Sequence, residues 1–276
     1  MHDSNRDTGR RIPQWVSRAR KKFREHRALF VLYAVIRLLV LITMALEIQN
    51  HAWYNVFLCV ITLVLLLVPS FVERRIRINI PDVLEAAVLI FVFAAEILGE
   101  LREYYLAFPY WDTMLHTVNG FLCAAIGLAL IDILNNSPRF SISLSPVFVA
   151  LSAFCFSMTI GVIWEFLEYG IDALFQTDAQ KDTVITSISS VLLNPDGHNS
   201  AITVPVQSVA INGEEWQLGG YIDIGLIDTI HDLMVNFVGA TVFSIFGYFY
   251  VKNKGKGGVV SHLMLTRMQG DPKEID

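Results

Sequence analysis

The sequence predicts an all-α fold: a polytopic membrane bundle of six transmembrane helices with a small extracytoplasmic cap made of a short helix and a hairpin. Three observations carry that expectation. Hydrophobic residues make up 54% of the 276 positions and charged residues only 17%, a balance that a soluble domain does not need. The apolar residues fall in blocks close to the roughly 20 that cross about 30 Å of hydrocarbon. Basic residues cluster in alternate connections between the blocks, as topology signals do.

Residues 1–27 form a basic leader with Arg10, Arg11, Arg18, Arg20, Lys21, Lys22, Arg24 and Arg27. Ile12, Trp15, Val16, Ala19 and Phe23 are spaced among them as on an amphipathic surface helix, with a solvated tail as the alternative. A full-length apolar block follows without a small-residue cleavage pattern, so the first span is expected to be retained. The spans are read at 28–48, 52–72, 83–102, 112–134, 147–170 and 225–251, giving a transmembrane domain over 28–251 and a tail over 252–276. Arg74, Arg75 and Arg77 follow the second span, Arg139 the fourth, and Lys252, Lys254 and Lys256 the last. With the leader, these belong to one side, which makes the chain a multi-pass cell-membrane protein with both termini cytoplasmic.

The insertion at 171–224 is too long for a simple connection. Val184, Ile185, Ile188, Val191 and Leu192 suggest a short amphipathic helix after Asp182, and residues 194–197, Asn-Pro-Asp-Gly, read as a turn. Residues 201–211 alternate as a strand, and Asn212-Gly213 marks a hairpin turn into 214–218. Beyond Gly255 the glycine-rich tail is expected to be mobile. Cys59, Cys123 and Cys155 lie inside apolar blocks without C-x-x-C spacing, which indicates small core residues rather than disulfides or zinc ligands. Segregated charge and a net charge of -5 leave no basic field for nucleic acid.

Three apolar blocks carry polar stripes: Asp112, His116 and Asn119; Glu165, Glu168 and Asp172; and Asp228, His231, Asp232 and Asn236. In each, the spacing is that of one helix face. Ionisable groups in hydrocarbon cost about 2.5 kcal/mol or more, so such stripes face a protein interior or a wet cavity. With the topology above, all three fall at the outer ends of their helices, where Trp53, Tyr104, Tyr105, Tyr110, Trp111 and Trp164 form an aromatic belt.

An oxygen-rich, histidine-poor set suits a hard or borderline divalent metal ion rather than copper or an iron–sulfur cluster. Asp112, His116, Glu165, Asp228 and Asp232 are the expected ligands, with Glu168 or Asp172 as the base that activates water. Like charges this close need a cation, shared protons or Arg102 to coexist. Structural alternatives stand beside each assignment. His116 can be a hydrogen-bonded core histidine, and His231 and its neighbouring aspartates can simply solvate a helix entrance. Glu47 and His51 read as interfacial, Glu96 as a contributor, and Arg37, near the middle of the first span, as either paired within the bundle or badly exposed. Asn119 and Asn236 read as interhelical glue, while Gly120, Gly161 and Gly239 permit close helix approach.

At Trp111-Asp112 through His116 and Gly120, at Glu165, Glu168 and Asp172, and at Asp228-Thr229 through Asp232, Asn236 and Gly239-Ala240, the chain resembles the YjdF-type inner-membrane proteins. It is more distantly similar to the VanZ-like family. The resemblance implies a bacterial-type inner-membrane location and implies no reaction. The residues themselves favour metal-assisted hydrolysis or group transfer on a membrane lipid or lipid-linked substrate. A proton- or cation-coupled transporter and a non-catalytic assembly protein are the alternatives. Oligomeric state is not set by the sequence.

Overall fold

The computed structural model describes residues 26–135, 144–255 and 258–267. The expected leader helix and Arg139 lie outside them. The chain divides into two compact units, 1–107 with 265–276, and 108–264.

In the first unit, α1 (Arg27–Gln49) is followed by α2 (Trp53–Leu65) and α3 (Val68–Ile76), which continue one another across a turn at Leu66 and Leu67. Pro69 sits in the first turn of α3, where a missing N–H costs no helix bond. Then α4 (Asp82–Phe93) runs without interruption into a π-helical stretch, Ala94–Leu101, before the one-turn α5 (Tyr104–Ala107). The unit's core is Tyr33, Ile36, Val40, Cys59, Leu66, Leu89, Ile97 and Leu101. Buried polarity is paired: the Tyr33 hydroxyl donates to Glu85 Oε1 at 2.6 Å, and Asn55 Nδ2 donates to Glu47 Oε2 at 3.0 Å. Arg37 lies with its guanidinium 4.8 Å from the centre of the Tyr33 ring, a cation–π contact that the sequence left unassigned.

The second unit is built on α6 (Trp111–Asn135), α7 (Pro146–Phe175) and α8 (Leu226–Lys252), which all pack against one another. Ser145 caps α7 by accepting from the Phe148 N–H, and Gly225, at φ +86°, supplies the left-handed residue ahead of α8. Small residues set the closeness of the helices. A Cβ on Gly120 would collide with the Asn236 backbone, and one on Gly239 with the Thr117 carbonyl. The Ser157 hydroxyl donates to the Gly120 carbonyl at 2.7 Å, tying α7 to the same crossing.

Among the described residues five helical stretches are long and apolar enough to span a membrane: Arg27–Gln49, Trp53–Ile76, Trp111–Asn135, Pro146–Phe175 and Leu226–Lys252. Leu38, Phe57, Phe71, Phe166, Phe237 and Phe246 stand more than half exposed on them. Ordinary soluble proteins do not present apolar surface on this scale. The third expected span, 83–102, is the stretch divided between α4 and the π-helix.

Between α7 and α8 the expected helix is absent. Val184–Ile185 and Ser187–Ser190 are strands β2 and β3, followed by a single 3-10 turn, Val191–Leu193. The physical reason is in the side chains: Val184, Ile185, Thr186 and Ile188 are β-branched, and distant partners favour the extended form. β3 pairs with β4 (Ile202–Pro205), while β2 pairs with β7 (Tyr221–Ile222). β5 (Val209–Ile211) and β6 (Glu214–Trp216) form a hairpin through Asn212 and Gly213, at φ +52° and +87°. The tail also differs from expectation. Val259–His262 is a 3-10 turn, Leu263, Met264 and Leu265 are buried, and β8 (Thr266–Arg267) pairs with β1 (Ile78–Asn79).

Candidate metal centre

Because α6 and α8 enter the unit at the end where α7 leaves it, their first turns and the last third of α7 are brought side by side. His116, in the second turn of α6, is the hub. Its Nε2 lies 3.5 Å from Asp112 Oδ1 on its own helix and 3.6 Å from Asp232 Oδ2 on α8. On the other edge of the ring, Nδ1 faces Glu165 Oε1 of α7 at 3.9 Å. His116, Glu165 and Asp232 are 9%, 4% and 1% exposed, while the Asp112 side chain keeps 27% of its surface open. The site is closed on the protein side and open at Asp112.

Two trios have donor atoms that all lie within 4.8 Å of one another: Asp112, His116 and Asp232, and His116, Glu165 and Glu168. Glu168 accepts a hydrogen bond from Trp164 Nε1 at 2.8 Å through Oε1, whereas its Oε2 is buried with no hydrogen-bond partner. Glu165 Oε2 and Asp232 Oδ1 are in the same state, although the exposed His231 ring stands 3.6 Å from the latter. Buried carboxylate oxygens without donors are costly, since desolvation is not repaid.

Asp172 and Asp228 belong to neither trio, although Asp228 lies within electrostatic reach of Asp112, Glu165, Glu168 and Asp232. The Asp172 carboxylate accepts from Thr177 Oγ1 and from the backbone N–H groups of Ala179 and Gln180, at 2.6–2.9 Å. Three donors engage both of its oxygens, so the expected base instead folds the chain leaving α7 into a strap. Asp228 Oδ2 accepts from the Lys181 N–H at 2.8 Å and fastens the far end of that strap to α8. Asp223, which the sequence reading passed over, accepts from the Thr183 N–H with one oxygen and from the Ile227 N–H with the other, both at 2.7 Å. Burial alone raises its pKa, but these N–H groups and that of Gly225 hold the carboxyl below its ordinary range.

Two further residues were missed. The side chains of Thr229 and Gln180 lie beside Glu165, with Gln180 Nε2 donating to Thr229 Oγ1. Thr229 had a signal, standing three residues before Asp232 and seven before Asn236 on the same face of α8. Gln180 had none, because it is carried by the strap. One layer deeper, Asn119 Nδ2 reaches Asn236 Oδ1 at 3.4 Å, and Asn236 Nδ2 lies 3.5 Å from Met158 Sδ, so the asparagines join all three helices. Below them the interior is closed by Leu122, Ala125, Leu128, Val149, Ala153 and Phe243.

Comparison with known proteins gives one family. The family described as "Predicted membrane protein (DUF2238)" matches residues 29–253, a stretch that takes in the helices of both units and every residue of the cluster. The YjdF-type resemblance falls within that family, and the VanZ-like one finds no support. Neither the curated proteins nor the solved structures contain a match. On the extent of that stretch, the chain belongs to the DUF2238 family of predicted membrane proteins.

Proposed function

We propose that the second unit is a metal-assisted hydrolase or group-transfer enzyme acting on a lipid or lipid-linked substrate at the outer face of the membrane. The observation that carries the reading is the pair of gaps around His116 Nε2, 3.5 and 3.6 Å to Asp112 and Asp232. These are too long for hydrogen bonds. They are close to the separation of about 3.4 Å between ligand atoms around a tetrahedral ion with bonds of about 2.1 Å. Three protein ligands with one open position is the arrangement of catalytic rather than structural sites.

In this reading Asp112, His116 and Asp232 hold the divalent ion. Glu165, facing Nδ1, orients the imidazole so that Nε2 carries the lone pair, the usual part of a carboxylate behind a metal-bound histidine. Such an ion would lower the pKa of a water bound beside it, and Glu168 Oε2 would take that water's proton while the ester or phosphoester bond to the leaving group breaks. Asp228, expected as a ligand, and Asp172, expected as a base, serve here to hold the strap. Phe166, Tyr169, Ile230 and Met234, all well exposed on α7 and α8 close to the cluster, fit lateral entry of a substrate with acyl chains. The apolar packing below the asparagines favours a one-sided site over a conduit, and hence an enzyme over a transporter.

The orientation belongs to the same proposal: six crossings, both termini in the cytoplasm, residues 171–224 outside, in an inner membrane. Metal analysis of the purified protein beside His116→Ala and Asp232→Asn tests the centre. At least one equivalent of divalent metal is expected in the wild type and the loss of about one equivalent in both variants. Equal metal in all three makes the histidine and carboxylates structural.

A further inference from the structure

The centre just described uses Asp112, His116 and Asp232 and leaves Glu165 and Glu168 uncompensated. They stand one turn apart on α7, and each has an Oε2 that is buried without a hydrogen-bond partner. Glu165 is 4% exposed. Its Oε1 faces the His116 ring at 3.9 Å, which turns the carboxylate into the cluster rather than toward lipid. Beside Glu165 stand the Thr229 hydroxyl and the Gln180 amide, whose Nε2 donates to Thr229 Oγ1, so the further oxygen at hand is that of Thr229.

Charge sharpens the point. A divalent ion at His116 balances Asp112 and Asp232 and nothing more. Among the described residues of 108–264 the lysine and arginine side chains are Lys181, Lys252 and Lys254, and the exposed His231 ring stands by Asp232 rather than by the two glutamates. Lys252 and Lys254 close the opposite end of α8, and the Lys181 ammonium is turned to the Asp178 carbonyl. Nor can the imidazole serve two ions. With Nε2 on the first ion, a neutral ring keeps its proton on Nδ1.

We propose that α7 carries a second divalent-cation position, built on Glu165 Oε2 and Glu168 Oε2 and completed by the Thr229 hydroxyl oxygen and water. An all-oxygen set selects a hard ion, magnesium, manganese or calcium, where the imidazole-bearing position also accepts zinc. The inference rests on the metal reading above and changes the part of Glu168 from proton acceptor to ligand. It makes the centre a two-metal site, the kind that clamps both the attacking and the leaving oxygen of a phosphoryl or acyl group.

Manganese alone is the probe, titrated into metal-free purified protein and followed by bound-metal stoichiometry and electron paramagnetic resonance. The wild type should bind two manganese ions per chain, with a spectrum broadened by their mutual coupling. Glu168→Gln keeps an oxygen to accept from Trp164 and should bind one, with the resolved hyperfine lines of an isolated ion. Asp232→Asn should also fall to one. A single manganese in the wild type, unchanged in affinity and spectrum by Glu168→Gln, overturns the second position and leaves the first standing. No bound manganese in any of the three, each monodisperse on gel filtration, removes both.

Discussion

At the crossing of α6 and α8, Gly239 packs against the Thr117 carbonyl so closely that one added methyl has no room. Backbone cannot rotate out of the way as a side chain can, so Gly239→Ala must push the helices apart. Overpacking of this kind costs about 1–3 kcal/mol, and the upper end is expected here. The measurable result is a lower melting temperature in detergent together with weakened metal retention, because Asp232 moves with α8. Ser157→Ala is the contrast: it removes one hydrogen bond to Gly120, worth about 1 kcal/mol. It should lower the melting temperature and leave the metal content untouched. The glycines and asparagines of this layer were legible in the sequence, since small and amide residues in an apolar block have few other uses. Which atoms meet was not. That Asn236 spans from Asn119 to Met158 depends on the relative rotation of three helices, and residue spacing within one helix does not fix it.

The strap from Gln176 to Thr183 shows the other limit on what can be read ahead. Asp172 and Asp228 were visible as acids near helix ends and Asp223 was passed over, and what each of the three holds is a backbone N–H of the strap rather than a group on a neighbouring helix face. A loop conformation of this kind has no periodicity to announce it. The segment after it was misread for a related reason: a few apolar residues fit helical and strand periods alike, and pairing with the distant β4 and β7 decided. Asp172→Ala should therefore loosen the strap, raising amide hydrogen exchange across 177–183, while metal stoichiometry stays at the wild-type value. Lost stoichiometry would return Asp172 to the centre. For Asp223 the effect depends on pH. Its pKa is depressed in the folded chain, so its contribution is full above the unfolded carboxylate value of about 3.9 and is lost as pH falls through the folded value. Replacing this buried cap by alanine should cost about 0.5–2 kcal/mol at neutral pH. In amide exchange of 177–224, the gap between wild type and Asp223→Ala should close on acidification below about pH 4.

Among the described residues five stretches satisfy length and hydropathy together, and an odd number of crossings places the two ends of a chain on opposite sides. The stretch that decides the parity is Asp82–Leu101. Its α and π portions form one uninterrupted helix, and what sets it apart from the other five is acidity, three carboxylates in any 18 consecutive residues. At about 1.5 Å per residue it reaches close to the 30 Å of a bilayer core. Its acidic residues do not forbid a crossing. Glu85, near the start of the helix, is buried and accepts from Tyr33, so hydrocarbon meets no bare charge there. Glu96 lies little more than one turn from the far end, at a depth where a buried or cavity-lining position is needed but no whole-helix exclusion follows. The basic clusters argue independently for an even count, since Arg74 and Arg75 close α3 and Lys252 closes α8. Fusion of alkaline phosphatase or a fluorescent protein after Lys254, and of the same reporters within the 194–200 turn, separates the cases. Six crossings predict a fluorescent, phosphatase-inactive fusion after Lys254 and the reverse at the turn. Phosphatase activity after Lys254, with the N-terminus shown to be cytoplasmic, would mean that Asp82–Leu101 does not cross. Phosphatase inactivity at the turn would place the mouth of the acidic centre in the cytoplasm, and an outer-face lipid substrate would no longer reach it.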